Sequence, residues 1–178
     1  MSQTETALLA CPHQEAAAQL IVAGRQYVAD FTGHTAFSFD PNRLAQYLKG
    51  DANQVEMRIQ EDVNNGVGAV IGAISWIMDP GRVPPPSTLT AISPGTPFPA
   101  VEEFVLNIIV EIPALLPGVR LRNKDRPAIL RNANVTDFPP QNDMYQLAEP
   151  IQLEDVNNPG QVLATIRNFP GTWNPPAA

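Results

Sequence analysis

The chain is poor in cysteine and lysine, and it has no long apolar run. Cys11 is its one cysteine in 178 residues, so no intrachain disulfide forms and a disulfide-stapled scaffold is excluded. Lys49 and Lys124 are the only lysines; the other basic residues are arginines. Charged residues make up 16% of the chain and the net charge is −7, which argues against nucleic-acid binding through bulk charge. The most apolar stretch, Gly66–Met78, has 13 residues, short of the roughly 20 that a transmembrane helix needs. The opening MSQTETALLACPHQE has neither a basic start nor a sustained apolar core, so no signal peptide is expected there. Proline is nearly missing from the first part, where only Pro12 and Pro41 precede residue 80.

What is present is a proline-rich second part. All the other prolines of the 19 lie from Pro80 onward. An interior proline costs a helix about 3 kcal/mol, so long helices are expected only before residue 80. There, Ala17, Leu20, Ile21, Gly24, Tyr27, Val28 and Phe31 recur at spacings of three and four. That spacing predicts a helix from Pro12 to a stop at Gly33. Asp40–Pro41 and Gly50 bracket a short second helix carrying Leu44, Tyr47 and Leu48, in the manner of a cap, a first-turn proline and a glycine stop. A third helix is expected from Asp51 to Met78, striped by Val55, Ile59, Val63, Val67, Val70, Ile71 and Ile74, with a break near Gly66.

Residues 80–99, with Pro84, Pro85 and Pro86 in succession, predict a stiff, extended arm. Beyond it, Val101–Ile112 fits a helix, with Val101, Phe104, Val105, Ile108, Ile109 and Ile112 on one face, as well as a strand, and is read as a strand because β-branched residues dominate. Short strands are expected at Val119–Arg122 and Ala128–Arg131. A hairpin is expected from Ile151–Val156 and Gln161–Asn168 around Asn157–Gly160. The resulting expectation is an α+β fold: a helical part over 1–79, a proline-rich arm over 80–99, and a small antiparallel sheet over 100–178 with an extended tail, packed as one compact domain.

No catalytic, cofactor or metal set is read from the residues. Cys11 and His13 flank Pro12, but paired zinc-ligand spacings are absent and side chains two apart at a helix start diverge. Asp51, Glu56, Glu61 and Asp62 read as a solvated helix face. Gly66, Gly68 and Gly72 do not follow a strand and open a helix, so they are not a dinucleotide loop. Gly68 and Gly72, with Ala69 and Ala73, read instead as a smooth face for close helix packing.

Charge segmentation is the sharpest feature. Arg120, Arg122, Lys124, Arg126 and Arg131 sit within twelve positions of an acidic chain. Such a patch can dock on an acidic neighbour, form a solvated face, or touch a phosphate. Together with Pro84, Pro85, Pro86, Trp173, Pro175 and Pro176, it is expected to make inter-subunit contacts. The functional expectation is a non-enzymatic structural subunit of a large symmetric assembly, of the kind found in phage capsids, necks and tails. Its partners would be copies of itself or other subunits, in a virion or a cytoplasmic assembly. The alternative is a small soluble binding or accessory subunit, with a pocket between helices and sheet lined by Tyr27, Phe31, Phe37, Phe39 and Trp76. A third reading is an enzyme that uses carboxylates and arginines.

Overall fold

The computed structural model describes residues 5–176. Thirteen strands and one helix follow in order. The strands are β1 (Ala7–Val22), β2 (Arg25–Phe39), β3 (Gln54–Gly68), β4 (Gly72–Met78), β5 (Ser87–Ser93), β6 (Thr96–Leu106), β7 (Ile108–Glu111), β8 (Leu121–Asn123), β9 (Ala128–Val135), β10 (Asp143–Leu147), β11 (Ile151–Asp155), β12 (Asn158–Asn168) and β13 (Gly171–Trp173). The helix, α1 (Pro41–Leu48), joins β2 to β3.

The pairings resolve these pieces into eight staves. β3 pairs with β4 through Val63–Gly68 and with β5 through Gln54–Met57. β4 and β5 are therefore two lengths of one stave. By the same test β6 and β7, β8 and β9, β10 and β11, and β12 and β13 are each one stave. The eighth returns to the first, since β1 pairs with both β12 and β13. Every pairing is antiparallel between consecutive staves, so the fold is a closed up-and-down barrel. Closure leaves no stave without a partner on either side, which removes the edge that an open sheet would present.

Turn chemistry explains the meander. Ala23 and Gly24 both take positive φ between Val22 and Arg25, the two-residue hairpin whose twist matches its strands. Pro94–Gly95, with Gly95 at φ 78, turns β5 into β6. Asp40 caps α1 through the backbone N–H groups of Asn42 and Arg43. This helix lies at one end of the barrel, where Tyr47 donates to the carbonyl of Pro97 at 2.5 Å.

The first three staves are unbroken, and the last five are interrupted. Residues 79–86, Asn107, 124–127, 148–150 and 169–170 lie between their halves, forming a crease across the front of the barrel. Residues 79–86 fold over it. Arg82 donates to Asp79 Oδ2 and to both the carbonyl and Oδ1 of Asn123, at 2.7–2.9 Å.

The expected α+β fold is overturned. Helices at Pro12–Gly33 and Asp51–Met78 are instead β1, β2, β3 and β4, and the arm at 80–99 contains β5 and the start of β6. Tight turns and bulges produced the misleading spacing. The Ala23–Gly24 turn and the bulge between Glu15 and Ala18 each reset a two-residue alternation, which imitates steps of three and four. The short helix after Asp40, the strands in 101–112, and the hairpin around Asn157 are present. Residues 5–79, 80–99 and 100–176 all supply staves to the same barrel.

Candidate functional site

Strand alternation turns Cys11, His13 and Glu15 of β1 inward, and all three are buried. Register then decides what faces them. Cys11 lies opposite Thr35, which lies opposite Asp62; His13 lies opposite Gly33, then Asn64, then Trp76. Glu15 lies opposite Phe31 on one side and Gly171 on the other. The glycines make the room. A Cβ on Gly33 would meet the Val63 carbonyl at 2.2 Å, one on Gly66 would meet the Phe31 ring at 2.5 Å, and one on Gly171 would meet Glu15 Oε1 at 2.8 Å.

A hydrogen-bonded chain crosses this wall. His13 Nδ1 is 2.5 Å from Glu15 Oε1, and Nε2 is 3.1 Å from Thr35 Oγ1. Thr35 gives its single proton to Asp62 Oδ1 at 2.6 Å, so Nε2 of His13 must be the donor to Thr35. Asp62 Oδ2 accepts from Trp76 Nε1 at 2.6 Å and from Asn64 Nδ2 at 3.0 Å. Burial by itself lowers the pKa of His13, but the Asp62 and Glu15 carboxylates outweigh it and push it up to about 9. The imidazole is therefore held as a cation. Burial raises the pKa of Glu15, partly countered by His13.

A second buried pair lies beside the first. Tyr145 donates to Glu102 Oε2. Burial pushes the Glu102 carboxyl up to about 8, against the pull of the Tyr145 hydrogen bond. Trp173 joins the clusters by stacking on His13 at 4.4 Å and on Phe104 at 4.5 Å. Among the described residues four buried side-chain polar atoms have no hydrogen-bond partner: Glu15 Oε2, Asn64 Oδ1, Glu102 Oε1 and Trp173 Nε1. Among the described residues no lysine or arginine is buried, and no three His, Cys, Asp or Glu side chains form a metal-binding group.

The residues singled out from sequence divide sharply. Arg120, Arg122, Arg126 and Arg131 lie on the outer wall and pair with Glu111, Glu154, Glu149 and Glu103 at 3.7, 3.0, 2.6 and 3.3 Å. The Arg120, Arg126 and Arg131 pairs are solvent-exposed and contribute about 0–1 kcal/mol each, whereas Glu154 is buried beneath Arg122. Lys124, Arg126 and Arg131 also line an open cleft of about 800 Å³ at the crease. Pro84, Pro85 and Pro86 lie in the 79–86 connection, and Pro175 and Pro176 follow β13 half-buried. Trp173, expected at an interface, is 1% exposed inside the barrel. Gly68 and Gly72 flank the β3–β4 turn rather than a helix face. Glu56 and Glu61 are exposed as expected, but Asp62 is buried.

His13 and Asp62 are set aside on sequence grounds, one as part of a diverging Cys/His pair and the other as part of a solvated helix face, and Glu15 and Glu102 are not singled out at all. The available signal was the alternation of Cys11, His13 and Glu15 with Ala10, Pro12 and Gln14, which puts one polar set on one face of a strand. Tyr27, Phe31, Phe37, Phe39 and Trp76, considered as pocket residues, all point into the barrel and are buried, though no helix layer covers them.

This fold has a solved counterpart. The chain is similar to DynF from the dynemicin biosynthesis pathway of Micromonospora chersina, with a TM-score of 0.79 over 98% of this chain and 82% of that one. At 18% identity, the likeness shows the fold alone. No family model matches the chain, and no curated protein is detectably similar in sequence. Among the described residues no helix is long and apolar enough to cross a membrane.

Proposed function

We propose that this chain is a non-catalytic barrel that binds one small organic molecule in its interior, in a biosynthetic setting. The observation that carries the reading is the set of unpartnered polar atoms among fully buried side chains. An eight-stranded barrel is wide enough to be filled by side chains or to hold one small ligand. If filling were its only task, apolar residues would serve as well or better, because buried charges cost desolvation and gain little net stability. A histidine with two hydrogen-bonded neighbours, a glutamate and tyrosine pair, and stacked tryptophans are a recognition surface in chemical character. The resemblance to a biosynthesis-pathway protein supports the setting.

The interior is closed in this state, with Trp76, Trp173, Phe37, Phe104, Tyr145 and Phe169 each below 2% exposed. A ligand must therefore part the wall. The third and fourth staves offer a seam, because β3 has no ladder partner in the fourth stave between its β5 and β4 pairings, at 58–62. Asp62 and its partner Trp76 stand beside this seam.

The expectation of an assembly subunit is neither supported nor refuted by the comparisons, and nothing favours a virion. Its structural premises have moved, since β5 lies within the proline-rich arm and the C-terminal Trp173 is core. Titration with the uncharged aromatic amine N-phenyl-1-naphthylamine tests the binding reading. We expect saturable binding of one molecule per chain with quenching of tryptophan emission. Unsaturable binding, or stoichiometry unrelated to the chain, rejects it.

A further inference from the structure

The hydrogen-bonded chain in the interior carries an unpaired acceptor at each end, and this narrows the chemistry of what it can accept. It runs from Glu15 through His13, Thr35 and Asp62 to Asn64 and Trp76. Its two unpaired atoms are Glu15 Oε2 at one end and Asn64 Oδ1 at the other. Both are acceptors, and neither can turn into a donor while Glu15 is ionised. The carboxylates of Glu15 and Asp62 face a single basic side chain, His13, and both of its nitrogens are already engaged. No buried lysine or arginine stands among the described residues to receive an anion. Aromatic faces flank the same cluster: Trp173 stacks on His13, and Trp76 stacks on Phe169 at 4.5 Å. Such faces attract cations and planar rings.

Resting on the binding-barrel reading, we infer that the interior selects a planar or aromatic molecule bearing a protonated amine, whose N–H groups are received by Glu15 and Asn64, and that it disfavours carboxylates and phosphates. Three of the four unpaired buried atoms are acceptors, and the one donor, Trp173 Nε1, is uncharged; with the balance of charge and the aromatic surroundings, this favours a cation. An entering anion would meet two carboxylates with no free cation to answer it, whereas an ammonium group would complete the unpaired acceptors.

Three probes that share one ring separate the possibilities: 2-naphthylmethylamine, 2-naphthylmethanol and 2-naphthoate. Their dissociation constants are measured at pH 7 by tryptophan quenching, at low and at high salt, because the net charge of −7 attracts any cation weakly. The amine is expected to bind at least tenfold more tightly than the carboxylate at both salt concentrations. Glu15→Gln, which keeps the shape, is expected to bring that ratio below threefold while leaving the affinity of the alcohol within twofold. Should Glu15→Gln fail to fold, Asp62→Asn carries the same expectation.

If the carboxylate binds as tightly as the amine, or if the amine preference survives both variants, the inference is overturned while the barrel reading stands. If none of the three probes binds saturably, the barrel reading fails with it.

Discussion

Single residues set the character of the interior, and Glu102 shows the consequence for stability. Outside the fold its carboxyl has an ordinary value of 4.5, and burial raises it to about 8. Between those values the folded chain keeps a proton that the unfolded chain has lost. Stability then falls as pH rises, by up to about 1.4 kcal/mol per unit for one group. The contribution is fully present below about pH 4.5 and is lost as pH passes 8. His13, raised from 6.5 to about 9, adds a loss of the same sign at higher pH. Asp79 and Glu154 are both held low, so their contributions are lost only in acid. The urea midpoint should therefore fall steadily from pH 5 to pH 8 in the native protein. Glu102→Gln should be flatter across that window, and equal slopes would dissociate Glu102 from the effect.

At the scale of elements, continuity separates the back wall from the front. β1, β2 and β3 have 16, 15 and 15 residues, well beyond the common five or six, and they carry the Glu15–Asn64 chain without interruption. The front staves break, and their breaks must be secured. Arg82 does this with hydrogen bonds to Asp79 and Asn123, while Asn123 Oδ1 also accepts from the Ile108 backbone and its Nδ2 donates to Asn107. Hydrogen bonds from a charged donor are worth about 1.5–3 kcal/mol where partly buried. Arg82→Ala should therefore cost about 2 kcal/mol in urea unfolding and speed amide exchange in β8 and β7. A loss near zero would show that backbone pairing alone holds the crease.

For the whole molecule, closure is the deciding event. Every pairing joins neighbours along the chain except that of the first stave with the last, β1 with β12 and β13. Removing residues 157–178 would strip β12 and β13 from β1, β13 from β10 and β12 from β11, and would delete Phe169 and Trp173 from the core. Two exposed edges and an open interior invite association. The truncated chain should elute as oligomers or aggregates in size-exclusion chromatography and lack a cooperative thermal transition. A monomeric, cooperatively folding truncation would mean that the eighth stave is dispensable.

Interactions within a few residues account for the short helix, the tight turns and the charged surface. Asp40–Pro41 specifies α1 because a cap and a first-turn proline act within one turn, and Asn157–Gly160 specifies the turn between β11 and β12 for the same reason. The arginines over 120–131 remain on the outer wall, because long charged side chains stay in water where they can. Tertiary structure decided the rest. Whether 12–33 is a helix or a hairpin depends on bulges and on partners a full stave away, which no short window contains. Trp173 and Pro175 looked alike as tail residues, yet closure with β1 draws Trp173 into the core. His13, Glu15, Asp62 and Asn64 span about fifty positions of sequence, and they become one hydrogen-bonded chain only when three strands align in register. Alternation could say that His13 and Glu15 share a face; only the closed barrel makes that face an interior.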